Sequence, residues 1–216
     1  MTDNYMVPSL ADYQWRVASH QMKELKNGQV HPLFKAFGEL LALIEPEHCG
    51  TSPGLSLLDV GCGCGYYSEI IEYYRPGVFE YQGCDYNPGM IAKAKKLWPG
   101  RSFVQQDART LQYSDRSFDV VMSGACIAHI EQWKQALGEI CRVSKQWLIL
   151  HRNPIQPNNE MTTLKTRLYV GLRVWTRRFN RTELLDLVRC QGFCLIHAVK
   201  AGTSLESYLY KRTADD

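Results

Sequence analysis

Asp59 lies within the apolar run Leu57-Leu58-Asp59-Val60, which leads directly into Gly61-Cys62-Gly63-Cys64-Gly65, with a glycine at every second position. Glycine tolerates positive φ and lets a ligand come close to the backbone. A buried strand, a glycine turn and then a helix is the order in which the carboxyl edge of a parallel sheet holds adenosine-containing ligands. The glycine spacing alone is a weak signal. Two further acids strengthen it. Asp85 ends the next apolar segment, where a carboxylate can accept both hydroxyls of a ribose, and Asp107 ends the third, within reach of an adenine amino group.

These residues need particular elements beneath them. Between residues 32 and 45, Leu33, Phe34, Phe37, Leu40, Leu41 and Ile44 recur at spacings of three and four, which predicts a helix with one apolar face. Residues 55–60 form a short apolar run of the kind buried on both sides of a sheet. A helix over 66–74 is stopped by Pro76-Gly77, a strand follows over 78–84, and Asn87-Pro88 opens a helix to about residue 98 with an N-cap and a proline in its first turn. Strands over 103–106 and 118–122, a helix over 131–143 and a strand over 147–150 continue the alternation. Asn180 and Glu183 have capping-box spacing at the head of a helix closed by Gly192. The last two strands, 193–199 and 207–211, are too close in sequence for a helical crossover and should run antiparallel. The expected fold class is α/β, an open and mostly parallel sheet with helices on both faces.

Two segments fall outside this rhythm. Residues 1–31 carry Tyr5, Tyr13, Trp15, His20 and Met22 ahead of the first strand. In residues 153–180, Met161, Leu164, Leu168, Leu172 and Trp175 repeat at three and four, while Lys165, Arg167, Arg173, Arg177 and Arg178, with Arg181 just beyond, add positive charge with no acid between 161 and 182. That spacing predicts an amphipathic basic helix. Both segments are candidate lids. The basic stretch has three readings: a solvated face, a clamp for an anionic acceptor, or a contact to an RNA backbone. No second basic stretch accompanies it, which disfavours nucleic acid.

The chain has 216 residues, enough to bury a core without disulfides or metals, with 45% hydrophobic and 22% charged residues, which excludes intrinsic disorder as its main state. No apolar run approaches the roughly 20 residues of a bilayer span, and residues 1–9 lack the basic and apolar regions of a secretory signal. Export is therefore not expected, and the eight cysteines read as reduced thiols of a cytoplasmic protein. Cys62-Gly63-Cys64 is C-x-C with no second pair at zinc spacing, so no metal site is expected. The net charge of +3 is too small to argue for a polyanionic partner.

Taken together, these motifs resemble the class I S-adenosylmethionine-dependent methyltransferases of the small-molecule type. The resemblance covers about residues 32–212, with residues 1–31 ahead of that domain and 153–180 as a helical insertion on the substrate side. Leu58 to Gly65 is similar to the family's first motif, Gly83-Cys84-Asp85-Tyr86-Asn87-Pro88-Gly89-Met90 to its ribose-binding strand end, Gln106-Asp107-Ala108 to its adenine turn, and Phe118 to Ser123 to its fourth strand. The resemblance implies a seven-stranded Rossmann-like sheet and S-adenosyl-L-methionine as cofactor. It implies that Asp59 and Gly61 border the methionine part, Asp85 the ribose and Asp107 with Ala108 the adenine, with Cys62, Gly63, Gly65, Tyr86, Met90 and Ser123 as further cofactor contacts.

Methyl transfer from a sulfonium needs alignment and exclusion of water more than a nucleophile, and a base only where the acceptor holds a proton. His129 after the fourth strand and His151 after the fifth are the candidate bases. Tyr13, Trp15, His20, Arg152, Arg173 and Arg177 are the candidate acceptor contacts. The acceptor is expected to be a small molecule, in one reading an anionic one, with the protein a monomer or a homodimer. The competing functions are a nucleic-acid methyltransferase, disfavoured further because Ser123-Gly124-Ala125-Cys126 stands where base-amine methylation uses Asn-Pro-Pro-aromatic, and a non-catalytic cofactor-binding module. A nicotinamide oxidoreductase is disfavoured by the G-x-G-x-G pattern and the lack of a hydride-transfer residue.

Overall fold

The computed structural model describes residues 10–45, 54–169 and 172–214. Tyr5 and the rest of residues 1–9 lie outside the described residues. Strands β1 (Leu55–Val60), β2 (Phe79–Asp85), β3 (Ser102–Gln105), β4 (Phe118–Gly124), β5 (Ser144–Pro154), β8 (Phe193–Lys200) and β9 (Leu205–Arg212) build one seven-stranded sheet in the order β3-β2-β1-β4-β5-β9-β8. β1 to β5 pair in parallel, and β9 runs antiparallel to both β5 and β8, as expected for the closing pair. Successive strands move outward from β1 to β2 and β3, then restart on its other side with β4. The reversal between β1 and β4 opens a crevice at the carboxyl ends of these strands, where open α/β sheets bind ligands.

Alternation along the strands sends neighbouring side chains to opposite faces. Leu57 joins Phe34, Phe37, Leu40 and Leu41 of α2 (Pro32–Ala42) and Ile70 and Ile71 of α3 (Tyr67–Tyr74) on one face. Leu58 joins Ala136, Leu137 and Ile140 of α5 (Trp133–Val143) and Leu184 and Val188 of α6 (Arg181–Arg189) on the other. The β1 run therefore reads as continuously apolar because it is covered twice. Helix α4 (Pro88–Leu97) starts where the sequence indicates: the Asn87 side chain accepts from the N–H groups of Gly89 and Met90. Asn180 likewise caps α6 by accepting from the Glu183 N–H at 2.8 Å.

One expectation is overturned. The basic stretch is an antiparallel pair of strands, β6 (Thr163–Tyr169) and β7 (Leu172–Arg178), in a separate two-stranded sheet. The spacing of three and four among the apolar residues fits a helix, but Thr163, Thr166, Tyr169, Val174, Trp175 and Thr176 favour the pleated form. Pairing along the full length of both strands supplies the hydrogen bonds that a helix would have supplied. The insertion is a hairpin, with only a short 3-10 turn over Pro157–Asn159 ahead of it.

Candidate functional site

The glycine turn follows β1 and is tied to the tip of β2. Gly61 and Cys62 donate their N–H groups to the Cys84 carbonyl at 2.8 and 2.9 Å, and the Gly63 N–H donates to Asp85 Oδ2 at 3.0 Å. The other Asp85 oxygen accepts from the Asn87 N–H at 2.9 Å. Burial pushes the Asp85 carboxyl above its ordinary pKa, against the pull of these two bonds. Gly61 and Gly63 hold φ of +76° and +55°, and a Cβ on Gly61 would lie 2.3 Å from Cys126 Sγ. The turn thus needs glycine for both conformation and space.

Asp59, one residue before the turn, is almost fully buried and accepts the Tyr81 hydroxyl proton at 2.9 Å. Its pKa is raised to about 7, first by loss of hydration and, to a lesser degree, by the nearby Asp85. The group holds the strand end in place from behind. Cys62 and Cys64 are buried, and burial raises both thiols out of the reactive range, Cys64 to about 12. They fill the turn. No cluster of metal-ligating side chains occurs among the described residues.

The third acid is placed differently. Asp107 follows β3 and folds back on Arg109, with Arg109 Nη2 at 2.6 Å, so the guanidinium holds its carboxyl below the usual range. It stands beside the same cleft, because the Gln106 N–H donates to the Asp85 carbonyl at 3.1 Å. Tyr86, the residue after Asp85, exposes 70% of its surface at this rim, while Met90 and Ala108 are buried beneath it. Ser123 at the end of β4 is buried, and its Oγ lacks a well-formed hydrogen bond.

Helix α1 (Leu10–Lys26) lies over this cleft, and the sequence reading missed the residue that matters most in it. Gln14 Oε1 accepts from the Cys64 N–H at 2.7 Å, and its amide occupies the space that a Cβ on Gly63 would fill. Trp15 meets Trp98 edge to face at 5.8 Å, Trp98 Nε1 donates to the Cys64 carbonyl at 2.9 Å, and Lys93 pairs with Asp12 at 2.8 Å. Tyr13 packs under Arg16. His20 does not come to the site: it lies on the exposed side of α1, 3.6 Å from Glu24. Clefts of about 210 Å³ beside Met22, Leu25 and Ile70 and about 220 Å³ beside Ile155 and Gly202 open elsewhere and contain none of these residues.

The candidate bases part company. His129 ends a 3-10 turn (Cys126–His129), is exposed, and its Nδ1 lies 2.6 Å from the Trp175 carbonyl, which ties this turn to the hairpin. His151 is fully buried at the carboxyl end of β5, with Nδ1 2.8 Å from Ser207 Oγ and Nε2 without a partner. Loss of hydration and the adjacent Arg152 cation keep it neutral. Arg152 Nη1 donates to the Tyr66 hydroxyl at 3.1 Å, which brings β5 to the residue directly after the glycine turn. Arg177 is turned inward, donating to the carbonyls of Ile130 and Glu131 and stacking over Trp133, so it anchors the hairpin. Arg173 takes its place in β7 opposite Leu168.

Residues 58–148 match the family model described as a methyltransferase domain. The chain is 33% identical over 96 residues to a demethylmenaquinone methyltransferase of Renibacterium salmoninarum, covering 44% of this chain and 39% of that protein. It is 27% identical to a sterol 24-C-methyltransferase of Gibberella zeae, covering 91% of this chain and 56% of that one. The chain thus spans about half or less of the length of these curated relatives. The crystal structure of a magnesium protoporphyrin IX methyltransferase from Synechocystis superposes with a TM-score of 0.61 at 16% identity over 95% of this chain and 85% of that one. Residues 58–148 thus match a methyltransferase domain, and the chain shares the fold of that solved methyltransferase.

Proposed function

We propose that this protein binds S-adenosyl-L-methionine across the glycine turn and catalyses methyl transfer to a small-molecule acceptor at the carboxyl ends of β4 and β5. The observation that carries the reading is the 3.0 Å bond from the Gly63 N–H to Asp85, which sets the β2 acid and the β1 turn on one cleft. The residues present fit the donor: a turn whose positive φ calls for glycine, an acid whose oxygens keep lone pairs for ribose hydroxyls, and the exposed Tyr86 ring at the rim. The curated relatives named above support a small apolar acceptor class, a quinone or sterol, as the starting panel.

Bound there, S-adenosylmethionine supplies an already activated methyl group on a sulfonium. The chain's task is orientation and the exclusion of water. Asp59, Gly61, Cys62, Gly63 and Gly65 shape the methionine end, Asp85 and Met90 the ribose, Asp107 and Ala108 the adenine side, and Ser123 the floor below the reacting centre. Gln14, Tyr13 and Trp15 close the cleft from above. His151 stands at the carboxyl end of β5 with Nε2 unpartnered, where it can hydrogen-bond an acceptor, and its lowered pKa makes it a weak base. No described helix is long and apolar enough to cross a membrane, and the described cysteines are free thiols, in keeping with a cytoplasmic setting. Calorimetric titration with S-adenosylhomocysteine tests the reading: micromolar binding is expected, and no binding overturns it.

A further inference from the structure

At the carboxyl end of β5 the protein buries polar atoms that it does not itself satisfy. Arg152 holds a φ of +62°, a left-handed conformation that a non-glycine residue adopts only where its surroundings enforce it. Its Nη1 is used on the Tyr66 hydroxyl, while its Nε is buried without a hydrogen bond, and no carboxylate among the described residues pairs with it. Around it, the Tyr67 hydroxyl and His151 Nε2 are also buried without a well-formed partner. Tyr66, Tyr67 and His151 are each more than nine-tenths buried. Phe37 walls the cluster, with its ring 5.0 Å from Tyr67 and 5.1 Å from His151. Burial keeps both phenols protonated and the imidazole neutral, so Arg152 is the charge that this cluster must balance.

A guanidinium offers two parallel N–H groups along its Nε edge, the geometry that grips a carboxylate with two bonds. On that edge Nε makes no well-formed hydrogen bond, and the Tyr67 hydroxyl is the protein group that interacts with the guanidinium besides Tyr66. A partly buried cation with a buried, unbonded Nε is less favourable than a paired one, and a ligand that brings the anion lowers the penalty. The position in the sheet indicates which ligand. Asp85 marks the ribose side on β2, whereas Arg152 stands on β5, on the far side of β1 and β4, where the acceptor must lie.

We infer that the Nε edge of Arg152, flanked by Tyr66 and Tyr67, anchors a carboxylate carried by the methyl acceptor. The inference rests on the donor-binding reading above and adds a carboxylate to the acceptors to be tried beside the quinone and sterol panel.

The test uses the full chain saturated with S-adenosylhomocysteine and ligand-observed NMR with octanoate, benzoate and their matched amides as probes. The acids should bind and the amides should not. Arg152→Gln should abolish acid binding, and Arg152→Lys, which keeps the charge without the fork, should weaken it about tenfold, with S-adenosylhomocysteine affinity in both variants within about twofold of the parent. Equal binding of acids and amides, acid binding retained in Arg152→Gln, or no acid binding overturns the inference. A loss of more than tenfold in S-adenosylhomocysteine affinity in Arg152→Gln, with 5′-methylthioadenosine affinity unchanged, places the carboxylate on the donor and also overturns it. Failure of the unsubstituted protein to bind S-adenosylhomocysteine is a separate result that removes the donor reading itself.

Discussion

Gln14 in the first helix accepts a 2.7 Å hydrogen bond from the N–H of Cys64 in the glycine turn, fifty residues away, and its amide lies directly over Gly63. A side chain of α1 thereby becomes part of the wall of the cleft above the glycine turn. Gly63→Ala would put a methyl group 2.2 Å from the Gln14 amide oxygen at a φ of +55°. Donor affinity should fall at least tenfold in Gly63→Ala, with about 1–2 kcal/mol of stability lost to the backbone conformation. Restoring room with Gln14→Ala in the same chain should recover part of the affinity but not the stability. Calorimetry and thermal melts on the single and double variants separate the two effects.

Asp85 is the acid that joins β2 to the turn, and its two oxygens already order Gly63 and Asn87. Asp85→Ala removes those bonds and the acceptors for a ribose together. S-adenosylhomocysteine affinity is expected to drop by more than tenfold, about 1.4 kcal/mol or more. Affinity within twofold of the parent would refute the ribose assignment.

Asp59 makes stability depend on pH in an unusual direction. Its folded pKa of about 7 lies above the ordinary carboxyl value of 3.8, so the folded protein holds this proton more tightly than the unfolded chain does. The contribution is fully present below about pH 4 and is lost as pH rises through about 7, by a few kcal/mol at most. Asp59→Asn, which can still accept from Tyr81, should flatten the decline in melting temperature between pH 5 and pH 8. A parallel decline in the variant would show that other groups produce it.

Arg177 spends its charge on two backbone carbonyls beneath the hairpin, with Trp133 stacked below it. Replacing it with alanine leaves the carbonyls of Ile130 and Glu131 without these donors. The expected cost is about 1–3 kcal/mol, read as a lower melting temperature and faster proteolysis between β6 and β7. Donor affinity should remain near that of the parent, because the Arg177 contacts go to Ile130, Glu131 and Trp133 and not to the glycine turn or Asp85. Intact protease resistance would show that the hairpin is held by other contacts.

The sequence determined the main sheet and the glycine turn beside Asp85. The apolar run of residues 55–60, the glycine turn and Asn87-Pro88 are local signals, set by burial on two faces, by positive φ and by capping, and β1, the turn and α4 formed where those signals stand. Asp85 could be placed because a residue that ends a parallel strand next to the turn has few other places to go.

Tertiary structure decided the rest. The basic stretch carried a helical spacing, but seven paired positions between β6 and β7 gave its backbone better partners, and a contact between distant residues leaves no trace in a local period. Gln14 was inconspicuous between two aromatic residues; only the docking of α1 through Trp15 on Trp98 brings it over Gly63. Arg152 and Tyr66 stand 86 residues apart and meet because β5 lies two strands from β1 and the turn after β1 reaches across. Strand ends are fixed by local chemistry, whereas the company that a partly buried cation keeps is fixed by which strands become neighbours.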